Sequence, residues 1–443
     1  MEPYTIDFIE KNEISSWIQT INNDYKVRFS EVFTPFEISE EMISLIPKEV
    51  ISNSSTQYLD AGCGCGYITM VLYRYIYDHK STGQSRTDIL NNIHIVDINK
   101  DRVDSLIHIL PIKNVYHCDF AKFTHPSKYD VIVSNPPFIV HTPLKHTIWP
   151  LFVKQCIYSL KDNGYLCMIL PSIWLKPQHD MYEYITSFEI HYIKCFNNNE
   201  ANKLFNGDAR TPLCYLLLQK RKGSGTINVW DNTIKQYTLF KLDNIPVPMH
   251  VPYLVNRILP FTNQFGSLQD IIIKTNCPKK HVSYSSCENE SHPYKNIRTC
   301  KIGKNGPNLV IDYSNVALKY FGKRKLVLAN KMYGIPYYDK NGEYGISTRD
   351  NYIYINDSDE ECMKMFNYLN CKFILLMYES TRYRMSYLEK YAFELIPNIL
   401  NIPIEDVNNI TINDYFQFTC RDIEIIDTFC KPLRLKSFKI DSK

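Results

Sequence analysis

Asn135-Pro136-Pro137-Phe138 follows the apolar run Tyr129–Ser134, which reads as a buried strand. Two prolines fix φ and donate no N–H, so the Asn135 side-chain oxygen and the Pro136 carbonyl form a rigid pair of acceptors. That pair, with a ring beside it, suits a planar NH2 group acting as a nucleophile. Upstream, Asp60-Ala61-Gly62-Cys63-Gly64-Cys65-Gly66 gives D-x-G-x-G-x-G between the strand-like Gln57–Ala61 and the helix-like Tyr67–Tyr77. Glycines at 62, 64 and 66 let the backbone pass close under a bulky ligand, and Asp60 at the strand end suits an ammonium group or an ordered water. Asp97 closes the next strand-like run, where a carboxylate can accept from both hydroxyls of a ribose. Asp119-Phe120 closes the third, offering a carboxylate for an adenine amino group and a ring that can stack. Taken singly, Asp97 or Asp119 also reads as a helix cap or turn residue. Their succession at three strand ends favours a nucleotide-like ligand.

These residues need a sheet to bring them together. From Gln57 to about Lys222, strand-like runs alternate with amphipathic stretches: Gln57–Ala61, Ile93–Val96, Val115–Cys118, Val131–Ser134, Tyr165–Leu170, Ile190–Cys195 and Leu213–Leu218. The alternation predicts an α/β fold with a doubly wound, Rossmann-like sheet. The Gly66 to Asp97 spacing exceeds the roughly 20 residues of the dinucleotide pattern, so Tyr77–Asp88 is expected to be an inserted loop. Asn197-Asn198-Asn199 is expected to be another. Lys220–Gly225 is charged and flexible in composition and is the expected linker, which gives domains over residues 1–222 and 226–443. The second has short aromatic and β-branched runs and a helix-like Glu360–Tyr378, and is expected to be α+β.

At 443 residues the chain exceeds the usual single core, and 44% hydrophobic with 22% charged residues is the composition of a globular protein. No apolar run approaches the ~20 residues of a membrane span, and the first residues lack a signal-peptide pattern, so an intracellular address and no membrane partner are expected. The fourteen cysteines contain no C-x-x-C pair, which fits reduced thiols better than a disulfide framework. No metal is expected in the glycine turn, since Cys63 and Cys65 lack further ligands nearby in sequence. Cys277, His281, Cys287, His292 and Cys300 are irregularly spaced, and ordinary thiols in a loop are favoured over zinc. The net charge of +3 says little about partners; local clusters say more.

In combination these motifs resemble S-adenosylmethionine-dependent N6-adenine DNA methyltransferases of the restriction-modification type, in the gamma order, with cofactor motifs ahead of the catalytic one. The resemblance covers roughly Arg28 to Lys222. It implies S-adenosyl-L-methionine as cofactor, with Phe33-Thr34-Pro35 as the upstream cofactor motif. Asp60, Gly62, Gly64 and Gly66 form the methionine loop, Asp97 the ribose acid, and Asp119 with Phe120 the adenine pair. Asn135, Pro136, Pro137 and Phe138 are the catalytic tetrad. Leu204–Thr211 resembles the loop that carries a second aromatic face, and Phe205 is chosen for it over Phe196, with simple packing as the alternative. The implied reaction is attack of an adenine N6, flipped out of a duplex, on the cofactor's methyl group. Phe138 departs from the Tyr frequent at that position, which keeps RNA adenine in play; a protein glutamine amide is the other alternative.

After Gly225 the chain resembles, loosely, the target-recognition domains of these enzymes, through Lys325–Leu328, Gly334–Asp339, Tyr378–Tyr391 and Leu395–Pro397. Lys319–Lys325 and Thr381–Tyr387 interleave cations with aromatics, as a double-stranded DNA partner would require, although solvated faces explain them too. The expected protein is a monomer with no fused nuclease, and a separate restriction endonuclease acting on the same site is the implied partner.

Overall fold

The computed structural model describes residues 6–10, 34–140, 146–207, 209, 211–278, 281–303, 306–330, 335–384 and 387–430. Phe33, Asp208, Arg210, Gly334, Met385 and Ser386, each within a motif named above, lie outside the described residues. The chain divides into two compact units. One comprises Met1–Trp230 with Leu239–Asp243, the other Asp231–Thr238 with Asn244–Lys443.

The first unit is built on strands β1 (Tyr58–Ala61), β2 (Ile93–Asp97), β3 (Asn114–His117), β4 (Tyr129–Ser134), β7 (Leu160–Pro171), β8 (Phe188–Phe196), β9 (Leu213–Lys222), β10 (Thr226–Asp231) and β11 (Gln236–Lys241). A two-stranded hairpin, β5 (Ile139–Val140) and β6 (His146–Thr147), stands apart. The sheet order is β11-β10-β8-β9-β7-β4-β1-β2-β3, parallel from β7 through β3, with β9 antiparallel to both β7 and β8. Every residue of β1 and β2 is buried, as strands covered on both faces by helices must be. The chain order reverses at β1, which has β2 on one side and β4 on the other. In open α/β sheets, ligands bind beyond the carboxyl ends of the strands at such a switch point.

Four helices line the site. They are α1 (Phe36–Ser44), α2 (Tyr67–His79), α3 (Lys100–Ile109) and α4 (Trp149–Ser159). α3 is capped by Asn99, whose side chain accepts from the Asp101 amide, and buries Val103, Leu106 and Ile109 along one stripe. α2 is buried almost all round its first two turns, where it joins α1, β1 and β2 in one core cluster.

All seven expected strands of the first unit are present. Of the expected loops, 77–88 is irregular over residues 80–85 only, and 197–199 is the start of a helix. Residues 86–92 form a helix started by a Ser85/Asp88 capping box, and Asn197 starts α5 (Asn198–Leu204) with Glu200 in the same arrangement. The linker stretch 220–225 is pinned within the sheet. It ends β9, donates from Gly223 N to Ser187 O at 2.9 Å, and donates from Ser224 N to Glu189 Oε2 at 2.6 Å.

The second unit is α+β. It contains the four-stranded sheets β12-β19-β16-β17 and β13-β15-β14-β18, built from β12 (Ile273–Lys274), β13 (Tyr284–Ser285), β14 (Tyr294–Gly303), β15 (Gly306–Ser314), β16 (Lys325–Ala329), β17 (Pro336–Asp339), β18 (Gly345–Ile346) and β19 (Asn351–Ile355). The expected helix over 360–378 is two helices, Asp359–Leu369 and Lys372–Glu379, because Cys371 between them is extended at φ −66°, ψ 141°. No helix among the described residues is long and apolar enough to cross a membrane.

Candidate active site

Register sets the site. Asp60 pairs with Val133, so the β1 and β4 chains end level, and the Ser134 hydroxyl donates to Ala61 O at 2.6 Å across that end. The glycine turn and the tetrad therefore leave the sheet side by side. Gly62, Gly64 and Gly66 all have left-handed φ, at 78°, 52° and 85°. A Cβ on Gly66 would stand 2.3 Å from Leu106 Cδ1, so helix α3 packs against bare backbone there. The amides of Gly62 and Cys63 donate to Val96 O at 2.9 and 3.1 Å.

Asp60 is 1% exposed. The Thr69 hydroxyl, from the first turn of α2, donates to its Oδ2 at 2.6 Å, while Oδ1 is buried with no hydrogen-bond partner among the described residues. Burial pushes the Asp60 carboxyl up to about 7, and the nearby Asp97 charge adds to the rise; the Thr69 bond only partly offsets them. Asp97 ties the turn to β2. Its Oδ2 accepts from Gly64 N at 2.9 Å, its Oδ1 from Asn99 N at 2.8 Å, and an Arg102 nitrogen lies 4.0 Å away.

Asp119 accepts from Ala121 N at 3.0 Å and caps a short turn over Phe120–Lys122. Phe120 differs from its expected stacking role. The ring is 2% exposed and packs on Phe152 and Phe123, with centroids 5.2 and 5.8 Å away. Phe205 likewise offers no open face: at the end of α5 it is 3% exposed, within the core cluster against which Phe138 also packs. Its competitor Phe196 is buried too, 6.0 Å from Tyr215.

Asn135 is half-buried, Pro136 buried and Pro137 exposed. Thr34, 6% exposed, reaches the tetrad: Asn135 Nδ2 donates to Thr34 Oγ1 at 2.9 Å. Pro35 begins α1, with its carbonyl accepting from Ser39 N at 3.0 Å. Sequence reading missed Thr69, Ser134 and the Thr34–Asn135 bond. The first two carry a faint signal, being lone hydroxyls in apolar runs beside motif residues.

In the second unit two cations of the cation-aromatic clusters, Lys325 and Arg382, are buried in ion pairs, which corrects the reading of those two as polyanion contacts. Lys325 is 0% exposed. It pairs with Asp339 and donates to Tyr320 O and Lys323 O, each at 3.0 Å, and burial pulls its pKa down. Arg382 is buried against Glu379 at 2.6 Å, and the Tyr383 hydroxyl donates to Val247 O at 2.7 Å. Lys319, Lys323 and Arg384 remain exposed. Lys325→Ala should lower stability by about 3–5 kcal/mol in urea denaturation, because it strands the Asp339 charge, while Lys323→Ala should stay within ~0.5 kcal/mol. Of the cysteine/histidine segment, Cys300 is buried in the core and Cys277 and Cys287 are exposed. No group of three metal-ligating side chains is gathered among the described residues.

Residues 38–191 match the family model described as methyltransferase small domain. No curated protein matches the chain. Among solved structures, a candidate class I S-adenosylmethionine-dependent methyltransferase from Listeria monocytogenes is 16% identical, covering 52% of this chain and 73% of its own, with TM-score 0.40. A modification subunit of a candidate type I restriction enzyme from Vibrio vulnificus is 15% identical over 58% of this chain and 60% of its own, with TM-score 0.40. The type IIG restriction endonuclease BpuSI is 11% identical over 89% of this chain and 62% of its own, with TM-score 0.44. The chain thus spans less than two thirds of either restriction protein. Residues 38–191, within the first unit, are thus a methyltransferase domain by family match, with S-adenosylmethionine as the cofactor. The residues fit that cofactor, for the turn is bare backbone at three glycines and a buried carboxylate oxygen beneath it lacks a partner.

Proposed function

We propose that this protein methylates N6 of adenine in double-stranded DNA. The observation that carries the reading is the tetrad Asn135–Phe138 at the end of β4, level with the glycine turn at the end of β1. S-adenosylmethionine, when bound, supplies an electrophilic methyl group. Asn135 Oδ1 and the Pro136 carbonyl accept the two hydrogens of the target amino group, aim its lone pair and stabilise the charge that develops as it reacts. Phe138 stacks on the flipped base, worth ~1–3 kcal/mol against an unstacking cost of a few. Asp60 takes the cofactor's ammonium end, directly or through water, and Asp97 the ribose. The second unit reads the duplex through contacts other than Lys325 and Arg382, and a separate restriction endonuclease shares the site.

The test is transfer of labelled methyl from S-adenosylmethionine offered together with duplex DNA, structured RNA and total protein. The reading expects label in DNA; label confined to RNA or protein would refute it. RNA stays as the second reading because Phe138 lacks the hydroxyl of the commoner Tyr.

Asp60 gives a pH dependence with a defined sign. Its folded pKa, about 7, lies above the ordinary value of about 3.9, so burial favours the protonated fold, and this contribution is lost as pH rises through 7. An ammonium ligand instead requires the ionised carboxylate. Titration calorimetry should therefore show cofactor affinity rising from about pH 5 to about 7 and levelling off above, while the ligand-free melting temperature falls over the same range and then levels off. Asp60→Asn should flatten both trends and weaken cofactor binding by about 10–100-fold.

A further inference from the structure

The bond between Thr34 and Asn135 joins positions 101 apart in the chain and meets the catalytic amide at its nitrogen end. An asparagine amide has one acceptor end and one donor end, and only the acceptor end can serve a target NH2. Turned the other way, it would face the target's hydrogens with hydrogens of its own. The Thr34 oxygen takes the donor end, with Oδ1 on the opposite side of the amide; a hydroxyl can also donate, so Thr34 fixes where the amide lies and the target's own hydrogens select the end that meets them. Thr34 is itself held firmly. It is buried immediately ahead of α1, whose first turn is closed by Ser39 N and Ser39 Oγ donating to Pro35 O at 3.0 and 3.2 Å. Through Ile38, Met42 and Ile43 that helix belongs to the core, and Cys167 Sγ of β7, the neighbour of β4, donates to Met42 O at 3.1 Å. The acceptor for the Asn135 amide is thus anchored to the same sheet that carries Asn135.

We propose that Thr34 is a positioning residue for Asn135, setting the rotamer of the amide that receives the target amino group. This rests on the reading of Asn135–Phe138 as the amino-methylation pocket, and gives Thr34 a role apart from cofactor contact. Thr34→Val keeps the shape and removes the acceptor; Thr34→Ser keeps the hydroxyl. With saturating S-adenosylmethionine and duplex DNA, kcat should fall about tenfold in Thr34→Val, the worth of one hydrogen bond, and recover in Thr34→Ser. The dissociation constant for S-adenosylmethionine, measured by calorimetry on the same variants, separates any loss of cofactor contact from the fall in kcat at saturation. Adding Thr34→Val to Asn135→Ala should cost no further activity, because the partner is already gone. An unchanged kcat with weakened cofactor binding would overturn the proposal while leaving the pocket's reading intact, and so would full additivity of the two substitutions. Wild-type protein that transfers methyl to no amino substrate would overturn both.

Discussion

Asn135→Ala should lower kcat by at least about 10²–10³-fold while cofactor binding and melting temperature change little. The size follows from what is removed. In the proposed reaction the side chain supplies one of two acceptors for the target's hydrogens, and an acceptor already in place stabilises the charge of the reacting amine without reorganisation. The selectivity follows from how the position is held. β4 lies between β1 and β7 in fixed parallel register, and its end is tied by the Ser134 hydroxyl to Ala61 O, so the backbone does not depend on the Asn135 amide. Asn135 is only half-buried, and its truncation opens no core cavity. Single-turnover rates with calorimetric cofactor binding separate the two effects. Equal losses of cofactor binding and of rate would mark Asn135 as a structural residue and contradict its catalytic role.

Gly66→Ala should be strongly destabilising. At φ +85° the residue sits where an L side chain is strained by about 1–2 kcal/mol. The new Cβ would also fall 2.3 Å from Leu106 Cδ1, and Leu106 is fully buried on α3 with no surface to retreat to. Overpacking of that kind costs about 1–3 kcal/mol, so a total loss of about 2–5 kcal/mol is expected in chemical denaturation. Cofactor binding should fall with it, since the turn must shift. Gly83→Ala is the control. It has a similar φ of +89° but nothing within 4 Å of its added Cβ, and it should show the backbone cost alone. Leu106→Ala placed on Gly66→Ala should cost less than the two single losses added together, because the clash leaves with the side chain. Equal damage at Gly66 and Gly83 would mean that the contact with α3 does not matter.

Much of the first unit was legible because its strands are short apolar runs closed by acids or by the tetrad, and because a parallel sheet forces those ends to one side. The strand ends of Asp60, Asp97 and Asn135 were readable for that reason. What failed was local or long-range in a way that period and composition do not encode. Asn197 looked like low complexity, yet Glu200 three positions on makes it a capping box. Lys325 and Arg382 looked like phosphate contacts because charge in a sequence carries no burial. Their partners Asp339 and Glu379 show that the fold consumes both cations. Phe120 and Phe205 looked like stacking rings, and a buried ring and an open one are the same letter. Thr34 could be placed in a motif, but no spacing rule connects it to a residue 101 positions away.

We propose an adenine amino group in duplex DNA as the target of the pocket at Asn135–Phe138. The most direct test is to incubate unmethylated duplex DNA with the protein and S-adenosylmethionine, digest it to nucleosides, and identify the product by mass and retention. N6-methyladenine from the wild-type protein, and none from Asn135→Ala, is the expected result. A methylated cytosine in place of adenine, or N6-methyladenine formed equally by Asn135→Ala, would contradict it.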